Sequence, residues 1–205
     1  MKKNLFLQSS IFNPRPLFAF SLCSVGLWLA MLSFASTPPT GTLTDTSGPV
    51  TYDAGPFTTS NPSPIPEVDA GPRCDANFPC DIFRLTVTLP AGYHAAHPNA
   101  FIKFTQFWTD AGTGQSDYDL FVYQGHVTTL DGSQQAATQS TASGPTPEMC
   151  TFTPLADGSH EFSVVSTPFT STQEIIHVKI ELFPGPSGAC NNCTNGKGPA
   201  ERLSP

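Results

Sequence analysis

The sequence predicts an all-β fold, a β-sandwich of about eight to nine short antiparallel strands. Three observations carry this. Several segments alternate apolar and polar residues with a period of two, the mark of a half-buried strand. Gly, Pro and Asp-Gly clusters separate them. Beyond residue 35, no segment sustains the apolar stripe of an amphipathic helix.

The chain opens with Lys2 and Lys3, a polar lead ending at Arg15, and an uncharged apolar run over residues 17–34. Ser33-Phe34-Ala35 places small residues at the two positions a signal peptidase reads. This pattern predicts a secretory signal over residues 1–35, with a helical apolar core and cleavage after Ala35. The competing reading is a retained anchor, since the run is close to the ~18 residues a spanning helix needs. A lipoprotein reading through Cys23 lacks the small residue expected before the cysteine, where Leu22 stands.

Residues 36–72 are rich in Pro and Ser and support edge strands only, around 41–44 and 49–52, because proline cannot donate to a sheet ladder. The sandwich core is expected over 73–183. In 82–89, Phe83, Leu85, Val87 and Leu89 form one row, and Arg84, Thr86 and Thr88 the other. In 101–108, Ile102, Phe104 and Trp108 share a face, with Phe101, Lys103, Thr105 and Phe107 opposite. Residues 118–123 form the next strand, and 126–130 a further one before the Asp131-Gly132 turn. Weaker strands fall at 135–140 and 148–153. Asp157-Gly158 reads as a hairpin-type turn leading to 161–165. The set closes with 175–183, where Ile176, Val178, Ile180 and Leu182 point inward, opposed by His177, Lys179 and Glu181. Residues 184–205, rich in Gly, Pro and Asn, read as a disordered, flexible tail.

Of the nine Lys and Arg, three lie in the leader, while all sixteen Asp and Glu follow it. Removing the leader takes the net charge from −7 to about −10. Such a surface repels phosphate backbones and anionic lipid, which excludes nucleic acid, and membrane surfaces once the signal is cleaved, as partners. Five cysteines follow the leader, and an oxidising compartment permits disulfides. Cys74 and Cys80 bracket a short loop and are the first choice for a bridge. Cys190 and Cys193 are the second, leaving Cys150 alone. The expected location is secreted or otherwise extracytoplasmic, in a periplasm or at a cell surface.

Three segments carry a family likeness. Cys80-Asp-Ile-Phe-Arg-Leu-Thr-Val87, Asp117-Tyr-Asp-Leu-Phe-Val-Tyr123 and Asp157-Gly-Ser-His-Glu-Phe-Ser-Val-Val165 occur in this order. Together they resemble the bacterial pre-peptidase C-terminal domain and its CUB-like relatives over roughly residues 41–183. The resemblance implies a jelly-roll-like sandwich of the kind appended to secreted enzymes and surface proteins. It also implies accessory, non-catalytic work: binding, secretion, or stabilising a larger partner domain. No protease, sialidase or propeller accompanies the module here, which reads as a member detached from a larger arrangement.

Candidate chemistry is sparse. Asp110, Asp117 and Asp119 surround a glycine-bearing loop and are the candidate calcium ligands, with Asp75 or Asp81 able to join if the first loop folds against them. Asp117 and Asp119 project from one strand face, where they repel unless a cation or water intervenes. The plain alternative is a solvated strand start, with no cofactor. His94-x-x-His97 lacks the Glu and the i, i+4 spacing of a zincin and reads as a solvated loop pair. Cys190-x-x-Cys193 is half a zinc site. No G-x-S-x-G elbow or phosphate loop occurs, and the few Glu residues sit in no obvious apolar strand context of the kind a raised-pKa glycosidase acid needs, so no catalytic residue is assigned and the chain is not expected to be an enzyme.

Phe101, Phe107, Phe121 and Tyr123 lie opposite the core rows. Phe121 and Tyr123 are candidate binding aromatics for a polysaccharide, a cell surface or a partner domain. The alternative is that a loop covers this face. Carbohydrate or surface binding, assisted by calcium, is the second functional reading beside a purely accessory module.

Overall fold

The computed structural model describes residues 36–65, 67–109, 116–142, 147–170, 173–185 and, for backbone alone, 193–194. All belong to the unit Ser33–Pro205; the predicted signal and its cleavage bond lie outside the described residues.

The alternating segments become the central strands. In chain order the strands are β1 (Thr40–Thr44), β2 (Val50–Ala54), β3 (Arg73–Cys74), β4 (Asp81–Leu89), β5 (Phe101–Trp108), β6 (Asp117–Gln124), β7 (Leu130–Asp131), β8 (Thr138–Ser140), β9 (Glu148–Phe152), β10 (Gly158–Thr170), β11 (Ile176–Phe183) and β12 (Cys193–Thr194). One four-residue helix, α1 (Tyr93–Ala96), lies between β4 and β5. Among the described residues no helix is long and apolar enough to cross a membrane.

Two sheets make the sandwich. The larger runs β1-β4-β10-β6-β8-β12, the smaller β2-β11-β5-β9, and β3 pairs with β7 in a separate ribbon. β1 and β2 sit at outer positions, and both send side chains inward. The core therefore begins before residue 73: Leu43, Tyr52, Ala54 and Phe57 are each at most 3 % exposed and join the central cluster.

Period-two geometry sorts the rows as the sequence implies. Phe83, Leu85, Val87 and Leu89 of β4 meet Ile102, Phe104 and Trp108 of β5 and Ile176, Val178 and Ile180 of β11 between the sheets. Tyr52 stacks on Phe83 with centroids 4.0 Å apart, and Trp108 meets Tyr118 edge-on at 5.0 Å. Each such buried ring or branched chain contributes roughly 1.5–3 kcal/mol. Cys150, a free thiol, is fully buried in this core opposite Phe104 and acts as a small apolar residue.

Five details depart from the expectations. β1 runs parallel to β4, so the sheets are not wholly antiparallel. β10 is 13 residues long because it pairs with β4 on one side and β6 on the other. The strand expected over 126–130 is reduced to the two residues of β7. Asp157-Gly158 is not a hairpin, since β9 and β10 lie in different sheets. The Asp157 carboxylate instead accepts the amides of Gly92 (2.6 Å) and His94 (2.7 Å) at the start of α1, and these bonds hold its pKa down. Within the tail expected to be disordered, β12 pairs with β8.

Candidate functional site

The sequence-marked residues converge on the outer face of the larger sheet, the side turned away from the sandwich core. Along β6, Tyr118, Leu120 and Val122 enter the main core, which sends Asp117, Asp119, Phe121 and Tyr123 to the other side. That side is covered. Phe121 is 0 % and Tyr123 4 % exposed, in a second cluster with Leu130, Ala136 and Val165, flanked by Cys74, Cys80, Ile82 and Val127. The expectation that Phe121 and Tyr123 form an open binding surface is therefore corrected: a loop layer buries them.

Polar bonds build this cover, as they must in a proline-rich segment with few ladder bonds. The buried Asn61 donates through Nδ2 to the carbonyls of Arg73 (2.9 Å) and Pro79 (3.0 Å). Its Oδ1 accepts the Ser63 amide. Asp69 takes two bonds from the Arg73 guanidinium, at 2.8 and 3.2 Å, and one from the Ile65 amide. The Arg73 bonds, followed by the Ile65 bond, hold the Asp69 carboxyl below its usual range. Gly71 crosses so close to Gln134 and Tyr123 that a methyl group there would lie 2.2 Å from a carbonyl oxygen. Asn61, Ser63, Asp69 and Arg73 were missed in the sequence; the Asp69-x-x-x-Arg73 charge pair was the available signal.

The Cys74–Cys80 bridge forms as expected and clasps one edge of the cover. A disulfide closing so short a loop contributes about 2 kcal/mol. Replacing both cysteines by serine should lower stability by about that amount and raise the binding of an apolar dye as Phe121 and Tyr123 open. Chemical denaturation and dye fluorescence check both. Cys190 lies outside the described residues, and nothing is described of the Cys193 side chain.

At the other end of this face the carboxylates are poorly solvated. Asp119 is 5 % exposed, and burial first, then the charges of Asp117 and Glu148, push its pKa up to about 8. Burial raises Asp117 as well, and its Oδ1 has no hydrogen-bond partner. Thr167 lies opposite Asp119 on β10, and its buried Oγ1 is likewise unpartnered. Glu148 belongs to the core side, opposite Gln106, with the Ser140 hydroxyl bonded to it. Asp110 lies outside the described residues. Asp81 shares the core-facing row of β4 with Phe83, so the sheet itself separates it from Asp119 and it cannot complete that site. Among the described residues, no three His, Cys, Asp or Glu side chains are grouped to hold a metal ion.

The remaining candidates have structural uses. His97 packs on the Tyr93 ring at 4.7 Å, and the His94 amide serves the Asp157 cap. Gln106 interrupts an apolar row, yet both its amide nitrogen and its amide oxygen are bonded, donating to the Tyr118 carbonyl (3.0 Å) and accepting from Ser166 (2.6 Å).

Open chemistry lies on the outer face of the smaller sheet. Phe107 of β5 is 42 % exposed, with its ring 5.4 Å from that of His177 on β11. The His177 Nδ1 sits 2.6 Å from Asp53 Oδ1 on β2. Farther along, Phe101 stacks on Phe183 at 5.0 Å, with the Lys103 ammonium 5.8 Å above the Phe183 ring.

In comparisons with known proteins, the chain is similar to a solved pre-peptidase C-terminal domain of a collagenase from Bacillus anthracis, at 8 % identity and a TM-score of 0.36, covering 69 % of this chain and 94 % of that one. No family model and no curated protein matches the chain.

Proposed function

We propose that this chain is an exported, non-catalytic accessory β-sandwich module that binds through the outer face of its smaller sheet. The observation that carries this is Phe107, a large ring left 42 % exposed on a central strand and flanked by the Asp53–His177 pair. A flat aromatic face beside an imidazole and a carboxylate suits a polysaccharide: the ring takes the apolar face of a sugar and the polar pair its hydroxyls. Phe121 and Tyr123 serve packing, and His97 and the His94 amide serve the α1 turn, which fits an accessory role. The disulfide and the acidic surface fit an extracytoplasmic location.

A glycan array probed with the purified domain tests the reading. Phe107→Ala is expected to cut binding at least tenfold while leaving the melting temperature within a degree or two, because a surface substitution costs only ~0.5 kcal/mol. Undiminished binding by Phe107→Ala would move the surface elsewhere.

A second reading, calcium-assisted binding, draws on the unpartnered Asp117 Oδ1 and Thr167 Oγ1 beside Asp119. These oxygens are of the type calcium prefers, and fall short of its six to eight ligands.

A further inference from the structure

At the opposite face of β4 stands a buried carboxylate with nothing to neutralise it. Asp81 is 1 % exposed, and neither of its oxygens makes a hydrogen bond. A buried charge without a partner is costly, and a carboxylate left so destabilises its site. Burial pushes its pKa up to about 7, against the downward pull of the Ser36 hydroxyl, the Ser36 amide and the Ile82 amide. None of these is a cation. The other groups on this side are no better suited: the Tyr52 hydroxyl on β2, itself buried and unpartnered, the Cys150 thiol on β9, and the Ser166 hydroxyl on β10.

Ser36 is itself buried, at 3 % exposure, and its hydroxyl is unpartnered. Its position is fixed from the next residue onward. Thr37 exchanges two backbone bonds with Asp53, at 2.9 and 3.1 Å, and the parallel pairing of Thr40 with Arg84 aligns this strand with β4. The parallel register, with the Arg84 amide donating to the Pro39 carbonyl at 3.2 Å, runs the segment behind Ser36 alongside β4 and sets Ser36 near its first residue, Asp81.

Ser36 is also the residue that follows the expected cleavage point, Ala35. We propose that leader removal completes the fold: the new α-ammonium of Ser36 becomes the buried counter-ion of Asp81. A signal peptidase supplies the step with water as co-reactant. The Ala35–Ser36 C–N bond breaks, hydroxide goes to the Ala35 carbonyl, and a hydrogen goes to the Ser36 nitrogen, which then takes up a further proton. Before cleavage that nitrogen is a neutral amide with one N–H to give. Afterwards it is a cation with three, matched to two carboxylate oxygens that lack partners. Processing thus adds a charge near a buried, unneutralised Asp.

The test starts from the full chain, exported and processed by a host, with the mature N-terminus read by intact mass. Three forms are compared at pH 7: the chain beginning at Ser36, the chain retaining Ala35, and the Ser36 chain acetylated on its α-amine. The proposal expects the free Ser36 form to melt at least 5 °C above the other two, and its α-amine to react with an acylating reagent at least tenfold more slowly than that of the denatured chain. Asp81→Asn, close in size and uncharged, should erase the difference among the three. Should Asp81→Asn fail to fold, the three N-termini on the unmutated chain still decide the matter. Equal melting of all three, an α-amine as reactive as in the denatured chain, or a mature chain beginning at another residue would each overturn the proposal.

Discussion

Phe121→Ser is expected to unfold the domain or leave it barely stable. The ring is fully buried against Tyr123, Leu130, Ala136 and Val165. Emptying a site of that size costs roughly 3–5 kcal/mol, and the serine hydroxyl adds a desolvation cost in an apolar setting. Against a typical reserve of about 5–15 kcal/mol, that removes a large share. Thermal and urea melts of Phe121→Ser, with Phe107→Ser alongside, make the comparison internal. The two rings lie on strands of comparable length, and both point away from the main core. Only the one beneath the loop cover should matter to stability. Equal, small effects would mean that the cover is loosely held and that Phe121 belongs to the surface after all.

The second large effect is a loss of stability with rising pH, centred on Asp119. In an unfolded chain its carboxyl ionises near pH 3.9, while in the folded state burial and the neighbouring carboxylates keep the proton on until about pH 8. Between those values the folded state binds more protons at this site, so the contribution of Asp119 is most favourable below about pH 4 and declines as pH rises toward 8. The slope from this one group approaches about 1.4 kcal/mol per pH unit. Asp119→Asn should therefore melt several degrees higher than the parent at pH 8 and show little difference at pH 4. Calcium sharpens the experiment, because a bound cation favours the ionised carboxylates and would flatten the pH dependence. Melting the parent at pH 8 with excess calcium and with chelator tells the two apart. A calcium-dependent rise that Asp119→Asn abolishes supports the calcium-assisted reading. Identical curves remove it and leave a buried, protonated acid.

Much of the fold was legible because strand periodicity is local. The rows of β4, β5 and β11 were written in alternate residues, and the core took them up unchanged. The disulfide was legible for the same reason: two cysteines close together around a short loop. What escaped depended on the third dimension. A strand buried on both faces carries apolar residues on both, and β6 does so from Tyr118 to Tyr123. The sequence cannot say whether the second face meets solvent or a loop. The answer lay in a proline-rich stretch whose order comes from Asn61, Asp69 and Arg73 rather than from any periodic pattern. Asp81 escaped too, since its alternation places it on the core face but not beside Ser36, 45 positions earlier. Phe107 was legible as an outward residue, and the burial of its three companions is what singles it out.

The central claim is that one aromatic face is covered and the other is open. Hydroxyl-radical footprinting of the folded, oxidised protein, read by mass spectrometry, tests it without any substitution. Phe107 should be oxidised at least tenfold faster than Phe121 and Tyr123, and the gap should narrow once the Cys74–Cys80 bridge is reduced. Comparable oxidation of all three rings in the oxidised protein would contradict the account.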